Sequence, residues 1–148
     1  MADRRSPARF CFGCGEENPR GLGMSFRLEE GRALAEFRAD DVFQGYPGRA
    51  HGGVVATMLD EAMSWAVYAN GAWAMTARMT TRFRKGVPLG EGLHVEGWLV
   101  RDRGRYLELR AELRSGGGTL LAEADGLFVR VAGRQAEELR ELYEASIS

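Results

Sequence analysis

Apolar and polar residues alternate along several stretches of the chain, and this period of two predicts strands. The clearest stretch is Arg105–Arg114, where one face carries Leu107, Leu109, Ala111 and Leu113. Further strands are predicted over Met24–Leu28, Arg32–Arg38, Thr76–Arg84, Leu93–Arg101 and Thr119–Val131. The last four strands along the chain are separated by breaks short enough for hairpins, so they predict an antiparallel sheet.

A helical period replaces the alternation between Gly52 and Ala69, and Asn70-Gly71 then gives a good C-terminal stop. One face of the predicted helix is apolar, formed by Val55, Met58, Leu59, Ala62 and Ala66. A narrow polar line follows Thr57, Asp60, Glu61, Ser64 and Tyr68. Such a line is either a solvated helix face or the wall of a pocket or interface, and its apolar flanks favour the second interpretation.

The order of elements predicts an α+β fold, in which a curved antiparallel β-sheet wraps around one long central α-helix. We expect three segments: residues 1–23 as an N-terminal tail and Cys/Gly-rich turn segment, residues 24–132 as the folded domain, and residues 133–148 as a C-terminal surface helix. The tail is expected to be loose up to residue 9. The last helix is predicted over Gln135–Ala145, with Leu139, Leu142 and Tyr143 on its inner side.

Composition and charge narrow the possible partners. The 148 residues are 45% apolar and 28% charged, as in an ordinary globular domain, and the formal net charge is −1. Neither nucleic acid nor an anionic membrane would be attracted by bulk charge. No apolar run approaches the roughly 20 residues that span a bilayer. The first nine residues lack the apolar core of a secretory signal, so we expect a cytoplasmic protein.

Both cysteines lie in Cys11-Phe12-Gly13-Cys14-Gly15. A C-x-x-C motif supplies two metal ligands, whereas a closed structural zinc site needs about four. A metal shared between chains and a redox pair are the alternatives, but no βαβ pattern supports the redox interpretation. We therefore expect no metal, and a pair of reduced thiols in a tight turn.

The most informative chemistry lies at the start of the long helix, where His51-Gly52-Gly53 leads into an apolar segment that carries Asp60. Free backbone N–H groups at a helix start stabilise an oxyanion. A carboxylate in an apolar helix is costly unless it has a partner or a function. Together they indicate acyl transfer or hydrolysis. Ser64, one turn after Asp60, either orients a water molecule or bonds back to the helix.

This interpretation requires two chains. Eight residues separate Gly52 from Asp60, or about 12 Å along a helix axis. A reacting carbonyl needs both groups within about 4 Å. Two antiparallel copies of the helix, related by a two-fold axis, bring the turn of one copy to the carboxylate of the other. The sequence therefore predicts an obligate dimer with two composite sites.

At these residues the chain closely resembles the hotdog-fold thioesterases, in particular the acyl-CoA thioesterases of the phenylacetic-acid-pathway type. The resemblance covers nearly the whole chain. It is carried by Cys11–Leu22, by Phe43–Gly53, by the helix with Asp60, and by the strand from Thr76 to the turn Pro88-Leu89-Gly90. It implies a hotdog dimer, often paired into a tetramer, that hydrolyses acyl-CoA without a cofactor.

The resemblance also implies residue roles. Gly52 would polarise the thioester carbonyl, and Asp60 would be the general base or the nucleophile. Ser64 would position water, and His51 would fix the turn. Gly53, Gln44 and Thr76 would contact the substrate. Because coenzyme A is a polyanion, a basic patch is expected at the pocket mouth. The candidates are Arg82, Arg84 and Lys85 on one strand, and Arg101, Arg103 and Arg105 around a hairpin.

Two other functions remain open for the same fold. A hydratase or dehydratase acting on acyl thioesters would need a His paired with an acid, and His51 and Asp60 cannot pair within one chain. A non-catalytic acyl-CoA-binding module would not need the acid.

Overall fold

A computed structural model gives the fold of the chain and describes residues 7–147. Short 3-10 helices occupy Pro7–Phe10 and Asp41–Phe43. The regular elements are β1 (Arg27–Glu29), β2 (Arg32–Phe37), α1 (Gly52–Ala69), β3 (Ala74–Phe83), β4 (Leu93–Asp102), β5 (Tyr106–Ser115), β6 (Leu120–Arg130) and α2 (Gly133–Ile147). The predicted helix Gly52–Ala69 is confirmed at both ends.

Within the described residues, six strands form one sheet in the order β1-β2-β4-β5-β6-β3. All neighbouring pairs are antiparallel, and the hairpins β4–β5 and β5–β6 form its centre. The hairpin predicted between the strand from Thr76 and the strand from Leu93 does not form, because β3 crosses to the far side of the sheet and pairs with β6. The strand β3 is therefore an edge strand, ten residues long, that runs past α1.

The core lies between α1 and the sheet. The five apolar helix positions predicted from the sequence are all buried, and so are Met63 and Val67 beside them. The inward residues of β5, Leu107 to Leu113, are buried as predicted. Burial of each large apolar side chain stabilises the fold by roughly 1.5–3 kcal/mol.

A glycine in the sheet lets the helix approach closely. A Cβ atom at Gly97 of β4 would lie 2.3 Å from the carbonyl oxygen of Ala62, which no side chain could tolerate. The backbone of α1 therefore rests directly on β4 at this point. This contact fixes the height of α1 over the sheet two residues after Asp60.

Three predictions at the ends of the chain need correction. The strand predicted from Met24 begins only at Arg27, because the Met24 N–H donates to Gly13 O, at 2.9 Å, instead of to a strand. Residues 1–6 of the predicted loose tail lie outside the described residues, and residues 7–9 belong to a 3-10 helix. In α2, Leu139 and Tyr143 are partly buried, but Leu142 is exposed.

None of the helices within residues 7–147 combines the length and the apolar character needed to cross a membrane.

Candidate active site

The first turn of α1 leaves one backbone N–H group without a partner. His51 is the N-cap: its Nδ1 accepts from the Gly53 N–H at 2.9 Å, and its carbonyl oxygen accepts from Val54 and Val55. In the described part of the chain, no acceptor contacts the Gly52 N–H. Because this N–H lies at the positive end of an 18-residue helix, it is a ready donor for an oxyanion.

These hydrogen bonds show that His51, Gly52 and Gly53 have different roles in the turn. His51 uses one ring nitrogen to hold the turn, and that nitrogen carries no proton because it accepts a hydrogen bond. The Gly53 N–H is already bonded to His51, so it is not available to a substrate. Of the two glycines, Gly52 is the one whose N–H is free.

Asp60 lies two turns further along α1 and is partly buried. Its Oδ1 accepts a hydrogen bond of 2.6 Å from Thr76 Oγ1 on β3. The structure thus brings together two residues that the sequence placed in the candidate site. A hydroxyl bonded to one carboxylate oxygen fixes the orientation of the other oxygen, which is the one free to act on a substrate or water.

The hydroxyl groups on the polar line differ in their bonding. Thr57 Oγ1 donates to Gly53 O at 2.9 Å, which is the bond back to the helix that Ser64 could also have made. Among residues 7–147 no hydrogen-bond partner contacts the Ser64 hydroxyl, and Ser64 lines a cavity next to α1. Its hydroxyl therefore remains available to a water molecule or a ligand.

Gly52 and Asp60 lie against opposite ends of the edge strand. A Cβ atom at Gly52 would lie 3.7 Å from the ring of Phe83, at the C-terminal end of β3. Thr76, near the N-terminal end of β3, holds Asp60. The two candidate catalytic groups are thus separated along both α1 and β3, and a single chain does not bring them to one carbonyl.

Glu61 faces a different environment from Asp60. It reaches the N-terminal segment, where its Oε1 lies 3.4 Å from Cys11 Sγ. Burial, and after it the charge on Cys11, raises the pKa of Glu61 to about 8. The hydrogen bond between the two thiols lowers the pKa of Cys11, and the same bond together with burial raises the pKa of Cys14.

Cys11, Cys14 and Glu61 each offer a ligand atom within 4.8 Å of the others, so they could hold a metal ion.

A cavity of about 210 Å³ lies between α1, the start of β3 and α2. Its wall is mostly apolar and aromatic, and it includes Val67, Tyr68, Trp73, Met75, Leu139 and Tyr143, together with the polar groups of Cys11, Cys14, Glu61 and Ser64. Met63 of α1 does not line this cavity, because its side chain is fully buried in the core.

The other predicted substrate contacts lie outside this cavity. Gln44 is exposed, and its side chain accepts from the Gly48 N–H at 3.1 Å, so it shapes the loop before α1. Arg82 and Arg84 both pair with Glu123, at 3.3 and 3.2 Å. Lys85 is exposed and, in the described part of the chain, makes no ion pair.

Sequence reasoning missed the contact between the C-x-x-C segment and Glu61. These residues are 50 positions apart, and nothing in either local pattern indicates that the two segments meet. The one available signal was Glu61 itself, an acid on a mostly apolar helix and therefore in need of a partner.

Comparison with known proteins supports the assignment of fold and family. The model of the thioesterase superfamily matches residues 47–122, which include the start of α1, Asp60 and Thr76. An acyl-coenzyme A thioesterase, THEM4 from Bos taurus, is 34% identical over 116 residues, covering 75% of this chain and 48% of the relative. The chain thus spans about half the length of that relative.

Solved structures show the same architecture. A thioesterase superfamily protein of known crystal structure superposes with a TM-score of 0.79 at 30% identity, covering 82% of this chain and 60% of that one. The PaaI protein of the E. coli phenylacetic acid degradation operon superposes with a TM-score of 0.71 at 19% identity, covering 76% and 82%. With the family model matching the segment that carries the candidate site, this chain belongs to the thioesterase superfamily and has its hotdog fold.

Proposed function

We propose that this protein is an acyl-CoA thioesterase that works as a homodimer, with Gly52 of one protomer and Asp60 of the other at each active site. The observation that carries the proposal is the free Gly52 N–H at the start of the helix that also bears Asp60. The name of the bovine relative, an acyl-coenzyme A thioesterase, supports the substrate class.

The edge strand supports the dimer. A long edge strand with exposed backbone groups invites pairing with another strand, and β3 carries the exposed apolar side chains Met75 and Phe83. Antiparallel pairing of β3 with its copy, near the middle of the strand, would bring the Thr76 end of one protomer beside the Phe83 end of the other. Asp60 lies at the first end and Gly52 at the second, so this pairing would assemble two composite sites. A dimer of such dimers would be compatible with the same pairing.

The reaction needs few groups because a thioester carbonyl is already electrophilic. The Gly52 N–H would stabilise the negative charge that develops on the carbonyl oxygen. Asp60 would take a proton from the attacking water, or attack the carbonyl carbon itself, and Ser64 would position the water. With Asp60 as the base, the C–S bond would break, the acyl group would leave as the free acid, and the thiolate of coenzyme A would take up the proton. With Asp60 as the nucleophile, the C–S bond would break to leave a mixed anhydride on Asp60. A water molecule would then hydrolyse this anhydride to the free acid, restore the carboxylate and supply the proton that the thiolate takes up.

The phosphates of coenzyme A would be bound by the basic residues after β3, namely Arg82, Arg84 and Lys85. Arg82 and Arg84 already share Glu123, so their charge is partly compensated. Lys85 is the strongest candidate of the three because its charge is not compensated. The expected cytoplasmic location remains a prediction from the sequence.

The test is thiol release from acetyl-, hexanoyl-, palmitoyl-, benzoyl- and phenylacetyl-CoA by the wild type and the Asp60→Asn variant. General-base catalysis contributes about 100- to 10,000-fold, so we expect the variant to lose at least about 100-fold in kcat. Asp40→Asn is the matched control, because Asp40 is exposed and its side chain makes no capping bond.

Hydrolysis that survives in Asp60→Asn would contradict the assigned role. Tight acyl-CoA binding by the wild type without turnover on any thioester would favour the binding module instead.

A further inference from the structure

The cluster of Cys11, Cys14 and Glu61 takes no part in the proposed hydrolysis. We propose that these three residues bind one zinc ion, with the fourth coordination position open to the cavity beside α1. This inference does not depend on the proposed function, and it replaces the expectation from the sequence that the thiols are without a metal.

The N-terminal segment is folded so that both sulfurs face the helix. The Gly15 N–H donates to Cys11 O at 2.9 Å and closes a tight turn around the C-x-x-C motif. A Cβ atom at Gly13 would lie 2.1 Å from Cγ of Glu61, so only glycine lets the carboxylate reach between the two cysteines. The bonds from Leu22 to Phe12 and from Met24 to Gly13, at 2.8 and 2.9 Å, hold the segment in place.

The ligand atoms have the spacing that a tetrahedral ion requires. Bonds of about 2.3 Å to sulfur and about 2.0 Å to oxygen place the ligand atoms roughly 3.5–3.8 Å apart. Cys11 Sγ and Glu61 Oε1 are 3.4 Å apart, and all three ligand atoms lie within 4.8 Å of one another. Small side-chain rotations would bring the set onto one ion.

A cation would also compensate the charges that this site gathers. Glu61 is enclosed by the thiols and the aromatic cavity wall, and no Lys, Arg or His within residues 7–147 pairs with it. A carboxylate in such surroundings is costly unless a cation or a proton neutralises it.

The donor set selects zinc among the common divalent ions. Two thiolates favour zinc over magnesium or calcium, and a carboxylate oxygen is a normal zinc ligand as well. Three protein ligands leave a fourth position for water or another small ligand. Because Glu61 directly follows Asp60, the ion would tie the N-terminal segment to the turn of α1 that carries the proposed catalytic acid.

The proposal is tested by titrating the protein with zinc. The protein is first reduced and freed of metal with a chelator, and a chromophoric chelator then competes for the added zinc. We expect one ion per chain. In Cys14→Ser and Glu61→Gln, binding should weaken by more than the roughly 10- to 100-fold that loss of an outer-shell partner costs. Glu16→Gln is the matched control, because Glu16 is an exposed acid of the same segment and should leave binding unchanged.

Cobalt substitution provides a measurement that needs no variant. Cobalt bound to the wild type should show a thiolate-to-cobalt charge-transfer band and the intense visible absorption of a tetrahedral ion. Zinc should also raise the Tm of the wild type but not that of Glu61→Gln, since a ligand that binds only the folded state stabilises it. Any one of three results would overturn the proposal. These are the absence of 1:1 zinc binding, a cobalt spectrum without the charge-transfer band, and zinc binding to Cys14→Ser that is as tight as to the wild type.

Discussion

Asp60 and Glu61 are neighbours in the sequence but belong to different environments. Consecutive helix residues point about 100° apart, so one turn of α1 presents the two acids in different directions. Asp60 receives the hydroxyl of Thr76, whereas Glu61 reaches the sulfur of Cys11. The two acids are therefore not interchangeable, and a catalytic role for one does not extend to the other.

Thr76 is expected to act as a positioning residue for Asp60. Thr76→Val keeps the shape of the side chain and removes the donor. A hydrogen bond to a charged group contributes about 1.5–3 kcal/mol, so kcat should fall by roughly 10- to 100-fold while KM changes little. Steady-state kinetics on the best thioester substrate measures the split between the two parameters.

Thr76→Ser supplies the control, because it keeps the hydroxyl and should restore most of kcat. If Thr76→Val raised KM alone, Thr76 would be a substrate contact rather than a positioning residue.

The sequence points to Asp60 as the catalytic acid, which stays a prediction, and it does not show what surrounds either acid. The sequence places Asp60 and Thr76 in the candidate site, and the structure joins these two residues by a hydrogen bond. The contact of Glu61 with Cys11 could not be predicted, because it depends on how the N-terminal segment folds back onto α1.

At the scale of elements, the groups that hold the turn at the start of α1 differ from the group that we propose to bind the oxyanion. His51 holds the turn with its side chain and its carbonyl, and this leaves the Gly52 N–H free. Gly52 is the first helical residue, and this is the position where proline is tolerated best, because its missing N–H needs no helical partner. His51 has extended backbone angles, φ −60° and ψ 139°, which suit a residue before proline.

Gly52→Pro is therefore expected to remove the oxyanion donor while the helix still forms. The loss of one such donor costs about 100- to 1000-fold in kcat. Gly52→Ala is the matched control: its Cβ would lie 3.7 Å from Phe83, an ordinary contact, and its N–H remains. Circular dichroism would verify folding, and thiol release would measure activity. Equal activity in the two variants would exclude the Gly52 N–H from catalysis.

The elements themselves could be predicted where the local signals are strong. The His-Gly-Gly turn and Asn70-Gly71 marked both ends of α1, and the alternation in β5 gave its buried face. The prediction was wrong for the start of the strand at Met24, because the local sequence does not show which backbone carbonyl accepts a hydrogen bond from the Met24 N–H. Here Met24 bonds to Gly13 rather than to a strand.

For the whole molecule, the position of α1 beside the edge strand β3 supports the proposed dimer. Each chain carries both proposed catalytic groups, Gly52 and Asp60, at opposite ends of the same strand. A symmetric pairing of two chains makes two complete sites from two incomplete ones. The sequence predicts the need for a second chain from helix geometry alone, and this stays a prediction. It could not predict the surface, since the position of β3 at the sheet edge depends on the full strand order.

The most direct test is to combine two inactive variants in one dimer. Asp60→Asn and Gly52→Pro chains, co-expressed with different affinity tags and purified by both tags in turn, give a dimer with one intact composite site. We expect about half of wild-type activity from this heterodimer, although each parent dimer is nearly inactive. A wild-type dimer carrying the same two tags sets the full value. Activity no higher than that of the parents would contradict a site shared between two chains.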